Sequence, residues 1–119
     1  MNAEELKART KKFAVAAFES ASGLPSNNPG RIVGDQFLRC VTSVGANYRA
    51  ATRARSHAEF IAKLGIVEEE VDESCYWLEL MIDTKLVPPP KVEPLLQEAR
   101  ELTAIFTASD RTARTNRRA

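Results

Sequence analysis

Apolar residues recur at three- and four-residue steps over four long stretches of the chain, the spacing of a helix face. No window alternates at period two between turn signals, so no strand is expected. The first stretch spans residues 3–22, with Leu6, Thr10, Phe13, Ala17 and Ala21 on one face. The second spans 29–54, with Val33, Phe37, Cys40, Val44, Tyr48 and Ala51. The third spans 57–85, with a stripe of Phe60, Leu64, Val67, Val71, Cys75, Leu78 and Ile82; Ile61, Trp77 and Met81 lie off its centre. The fourth spans 90–114, with Val92, Leu95, Ala99, Leu102, Phe106 and Ser109 inward, and residues 115–119 are expected to fray.

The ends of these stretches are marked. Asn2 stands three residues before Glu5, and Ser56 three before Glu59, both at capping-box spacing. Asn28 is expected to cap the second helix, with Pro29 at its first position. Gly23 and Pro25 stop the first helix, and Pro88-Pro89-Pro90 separate the third from the fourth. Gly34 and Gly45, inside the second helix, are expected to admit a close neighbour. Segments two and three, at about 25 residues, would each run roughly 38 Å. Short connections between four such helices predict one all-α domain over 1–119, an antiparallel up-down-up-down four-helix bundle.

Composition narrows the class. The chain has 119 residues, 44% hydrophobic, with two cysteines and one histidine. That suits one soluble domain and excludes a disulfide scaffold. The apolar run Phe13–Phe18 is only six residues long, shorter than a secretory h-region. A cytoplasmic protein with free thiols at Cys40 and Cys75 is expected.

The charge, 17 basic against 16 acidic, is balanced only in total. Residues 1–55 hold nine basic and four acidic side chains, residues 56–110 four and twelve, and residues 111–119 four and none. Segmental charge of this kind speaks of partners rather than fold.

Catalytic chemistry finds little support. His57 stands alone, without the second histidine or the Cys pairs that a metal site requires. There is no phosphate-binding loop and no nucleophile elbow. No enzyme activity, cofactor or metal is therefore expected. The acidic run Glu68-Glu69-Glu70-Val71-Asp72-Glu73 spreads around a helix, so its carboxylates are expected to be solvated rather than convergent, or to pair with Arg39, Arg49 or a neighbouring subunit.

Two polar patterns stand out. Gln36, Arg39, Ser43 and Asn47 share one face of the second helix. Ser and Asn compete with helical backbone bonding, so they call for partners. An interhelical network with Glu69 or Glu73, or a subunit contact, would supply them. The second pattern is the clustering of thirteen of the 17 basic residues in three blocks. Lys7, Lys11, Arg31, Arg49, Arg53, Arg55, Arg111 and Arg114 are candidate phosphate contacts. Arg suits planar, bidentate contact with phosphate.

The run Gln36-x-x-Arg39-Cys40-x-x-Ser43-Val44-x-Ala46-Asn47-Tyr48-x-x-Ala51 resembles a second-helix signature, Q-x-x-R-(A/S)-x-x-S-I-x-x-N-I/Y-x-E. Arg55-Ser56-x-x-Glu59-Phe60-x-x-Lys63-Leu64, then Glu68/Glu69, Asp72-Glu73 and Trp77-Leu78, resembles the third helix of the same family. Leu6-x-x-Arg9-Thr10-x-x-Phe13 and Glu98-x-x-Glu101-Leu102-x-x-Ile105 resemble its outer helices. The family is the four-helix bundle proteins, also known as 23S rRNA-intervening sequence proteins. The resemblance implies a homopentamer around a central channel, and no catalytic residue carries over with it. A branch similar in fold, the accessory variability protein of diversity-generating retroelements, has a basic surface and binds nucleic acid. The chain departs from the signature where Ala50 or Ala51 replaces the usual Glu.

The expectation is an oligomeric bundle that binds structured RNA or DNA through backbone phosphates. Six neutralised phosphates would weaken duplex binding by about three decades between 50 and 200 mM salt. The alternative is a scaffold or adaptor for a protein partner, with Phe37, Tyr76 and Trp77 as exposed anchors.

Overall fold

Four helices form where the periodicity places them. The structure, a computed structural model, describes residues 1–116. The helices are α1 (Ala3–Ala21), α2 (Asn28–Thr52), α3 (His57–Asp83) and α4 (Pro89–Thr115). No strand occurs among the described residues. The expected frayed tail falls largely on residues 117–119, outside those described, whereas Thr115 is the last residue of α4. Among the described residues, no helix is long and apolar enough to cross a membrane.

Each helix packs on the next and α1 closes on α4, so the cyclic order is α1-α2-α3-α4 with antiparallel neighbours. The result is a rod of 50 × 20 × 20 Å. Its centre is filled by Phe13, Phe37 and Phe106 with Leu64, Leu78, Met81 and Leu102, all fully buried. Tyr48 of α2 reaches diagonally to Phe106 of α4, with ring centroids 5.3 Å apart.

The core differs from the expected stripes on α3. Ile61, Ser74 and Met81 are buried, while Phe60 and Ile82 are only half-buried. The buried arc is wide because α3 packs against both α2 and α4. The buried hydroxyls of Thr10 and Ser74 donate to the carbonyls of Lys7 and Glu70 on their own helices, at 2.9 Å each. Satisfied in this way, they fill core positions as small residues.

The caps hold with one shift. Asn2 accepts from the Glu5 N–H at 2.8 Å and Ser56 Oγ from the Glu59 N–H at 3.0 Å. The Glu59 carboxylate accepts from the Arg55 N–H, not that of Ser56. The cap of α2 is Asn27 rather than Asn28; it accepts from the Gly30 N–H at 2.9 Å. One residue of shift lets Gly30 sit against the Pro25 carbonyl, where any Cβ would collide. Gly45 faces Thr10 of α1, Gly34 meets the Leu24 side chain between α1 and α2, and Gly65 of α3 faces Arg114 of α4.

Candidate functional site

The flanks of α2 are chemically opposite. Toward α3, Arg39 donates to Glu70 at 3.0 Å and to Glu73 at 2.9 Å. It also approaches Gln36 Oε1 at 3.5 Å and the buried Cys40 Sγ at 3.3 Å. The hydrogen bond to Glu73 leads in raising the Arg39 pKa. Burial pushes Glu73 up, but hydrogen bonds from Cys40 and Arg39 outweigh it and hold the carboxyl below its ordinary value. Burial, aided by Glu73, pushes the Cys40 thiol up to about 12.

This seam corrects three expectations. Glu70 and Glu73 do converge, because residues three apart share a helix flank. The partner beside Glu73 is Glu70; Glu69 faces solvent, with no ion pair or side-chain hydrogen bond among the described residues. Ser43 and Asn47 bond to each other along α2, Asn47 Nδ2 donating to Ser43 Oγ at 2.9 Å and to its carbonyl at 3.0 Å, rather than across to α3. Cys40, Glu70 and Glu73 bring ligand atoms within 4.8 Å of one another. As a metal site they are a poor fit, because the thiol holds its proton and Arg39 already engages both carboxylates.

Toward α1 the picture reverses. Lys7 and Lys11 of α1, with Arg49 of α2 and Arg53 at its C-cap, line one groove floored by Ala14, Gly45 and Ala46. Glu4 is the single acidic residue lining it, and it pairs with Lys7 at 2.6 Å. Lys11, Arg49 and Arg53 form no ion pair among the described residues; the expected Arg49 partnership with the acidic run is absent there. Small residues lie between the cations, and Lys11, Arg49 and Arg53 are exposed.

The other four candidates lie elsewhere. Arg31 lies at the far end of α2, bonded to Asn28. Arg55 lies in the α2–α3 loop. Arg111 and Arg114 flank a shallow surface on the α3–α4 side with Glu68 and Asp110, and Arg114 is held by Asp110 at 3.1 Å. The cyclic order places that surface across the bundle from the basic groove.

Two of the three expected anchors change role. Phe37 is fully buried and Trp77 partly so; of the three expected anchors only Tyr76 is exposed, at 56%. His57, exposed at the start of α3, bonds through Nε2 to the Ala113 carbonyl near the end of α4 at 2.9 Å.

Sequence reasoning missed the Arg9 network. Arg9 donates through Nε and Nη2 to the two Glu98 oxygens, at 2.7 and 2.6 Å, and to Glu101 at 3.0 Å, tying α1 to α4. The Glu98 hydrogen bond holds the guanidinium well above its already high pKa. A signal existed in Arg9 on the first helix and Glu98-x-x-Glu101 on the last, the only helix pair not adjacent in sequence that the bundle must close.

The chain matches the family of 23S rRNA-intervening sequence proteins over residues 4–108. It is similar to a solved structure from Bacteroides thetaiotaomicron, a protein of unknown function from the S23 ribosomal protein family. That match has a TM-score of 0.84 and 32% identity, and covers 93% of this chain and 99% of the other. No protein of curated function matches it. The chain belongs to the 23S rRNA-intervening sequence protein family.

Proposed function

We propose that this member of the 23S rRNA-intervening sequence protein family binds structured RNA or DNA through backbone phosphates. It would do so in the cytoplasm, as a homo-oligomer and without catalysis. The carrying observation is the α1–α2 groove, where Lys7, Lys11, Arg49 and Arg53 meet with one acid among them. Unpaired cations on two helices are the electrostatic footprint that phosphate contact requires. In a pentamer each groove would be presented five times, so a weak single contact would still give useful avidity.

Three unpaired cations, Lys11, Arg49 and Arg53, rather than six set the expected salt response, since Lys7 is held by Glu4. With three phosphates neutralised, duplex affinity falls by about 40-fold between 50 and 200 mM salt. Fluorescence anisotropy of labelled structured RNA and duplex DNA at those two salts tests this. Binding that ignores salt, or no binding, removes the reading.

A second reading has its own support. The outer side of α3 carries Glu69 and Asp72 beside exposed Tyr76, a ridge complementary in charge to the groove. A second copy could seat that ridge in it. Nucleic acid and ridge would then compete for one surface. Light-scattering mass of wild type against a Glu69→Lys/Asp72→Lys variant separates them. An oligomer that dissociates on this reversal assigns the groove to self-association; one that persists leaves it free.

A further inference from the structure

Resting on the nucleic-acid reading of the groove, we infer that it takes double-stranded nucleic acid in preference to single strands, and responds to backbone charge rather than to sequence. The argument begins with the axial placement of the cations. Gly45 sits level with Thr10, and α1 and α2 run antiparallel. Arg53 therefore comes first along the groove, Arg49 and Lys7 lie nearly level with each other, and Lys11 comes last. At 1.5 Å per residue these four charges span about 13 Å. Over that length a duplex presents about eight phosphates and a stacked single strand about four. The denser target gains more from the same four cations.

The second half of the argument is what the groove lacks. Binders of single strands draw much of their affinity from aromatic side chains on which bases stack. The lining here consists of charged and small residues, with Ala14, Gly45 and Ala46 as its floor, and no aromatic among the described residues. Exposed Phe18 lies further along α1 and does not line the groove, and Tyr76 is on α3. The lining also holds no Asn or Gln, the side chains that pair bidentately with adenine, so its cations are left to answer mainly to charge.

The test compares a strand free of self-complementarity with the duplex it forms, about 20 base pairs or two helical turns. Anisotropy is read at about 50 mM salt, with a Lys11→Glu/Arg49→Glu variant and Phe18→Ala beside the wild type. The duplex is expected to bind at least tenfold tighter than the strand, and a scrambled duplex to match it within about threefold. The double reversal should abolish both, and Phe18→Ala should leave both within twofold. If the strand binds as tightly as the duplex while the double reversal still abolishes binding, the groove is a nucleic-acid site and the duplex preference is overturned. A selective loss of strand affinity in Phe18→Ala shows an aromatic platform and overturns it as well. If neither form binds, the functional reading fails and this inference fails with it.

Discussion

One helix, α2, carries arginines on two flanks, and their fates differ. On the flank toward α3, Arg39 meets Glu70 and Glu73 and is neutralised within the fold. On the flank toward α1, Arg49 meets Lys7 and Lys11, and with Arg53 it stays unpaired among the described residues. The difference lies in the neighbours. Residues 56–110 hold twelve acids, while residues 1–55 hold four. A cation facing the acid-rich helix is used up in structure, and one facing the basic helix is left unpaired among the described residues. Local charge density is therefore a poor guide to function until the pairing is known.

The comparison can be broken most sharply by charge reversal on each flank. Arg49→Glu/Arg53→Glu should lower nucleic-acid affinity by about 100-fold at low salt, through two lost phosphate contacts and added repulsion, and lower the melting temperature only slightly, by placing acids at the C-terminal end of α2. Arg39→Glu should do the opposite, lowering the melting temperature while affinity stays within about twofold. Similar effects on affinity from both variants would dissolve the distinction.

The α1–α4 seam extends the structural side. Arg9→Ala removes a two-pronged contact to Glu98 and the bond to Glu101. Urea denaturation should show a loss of about 1–2 kcal/mol, with nucleic-acid affinity unchanged.

Acid should reach the α2–α3 seam selectively. The Glu73 carboxyl is held below its ordinary value. Its contribution is present above the unfolded value, about 4.3, and is lost as pH falls through the lower folded value. Below about pH 4.3 the melting temperature of the wild type should therefore fall more steeply than that of Arg39→Gln. Parallel curves would show that the pair adds nothing to stability.

Two smaller effects calibrate the rest. Lys85, beyond the end of α3, has φ 58°. The Leu86 N–H donates to the Met81 carbonyl and the Lys85 N–H to that of Ile82, both at 3.1 Å, a Schellman cap in which glycine is favoured. Lys85→Gly should stabilise by about 0.5–1 kcal/mol in denaturant titration and leave both flanks of α2 untouched. Glu4→Gln, which frees Lys7 at the groove, should tighten nucleic-acid binding by about two- to threefold.

Much of the fold was legible because its signals are short in range. Leu6, Thr10, Phe13 and Ala17 identify the buried face of α1 from spacing alone, and Asn2 and Ser56 cap the helices their positions suggest. The end of α3 was harder to see, because Lys85 takes a left-handed conformation with no glycine to announce it. The candidate site was legible only as a list. Eight cations were named, and the bundle gathers four of them. Glu69 and Glu70 differ by one residue and about 100° of helix rotation, which is the difference between solvent and Arg39. Phe37 already stood on the apolar stripe of α2, and its burial shows that the stripe, not its reading as an exposed anchor, placed it.

By itself the sequence determined four helices, most of their ends, most of the core face of each, and a basic first half against an acidic second half. Hydrophobic period and capping operate within four residues, so no tertiary information is needed to read them. Only the tertiary structure decided which charges meet. Pairing across helices depends on their rotation and axial register. Those are set by how Phe13, Phe37, Leu78 and Phe106 interlock in the core, not by the charges themselves. That packing turned Arg39 toward two carboxylates and left Lys11, Arg49 and Arg53 along an open groove.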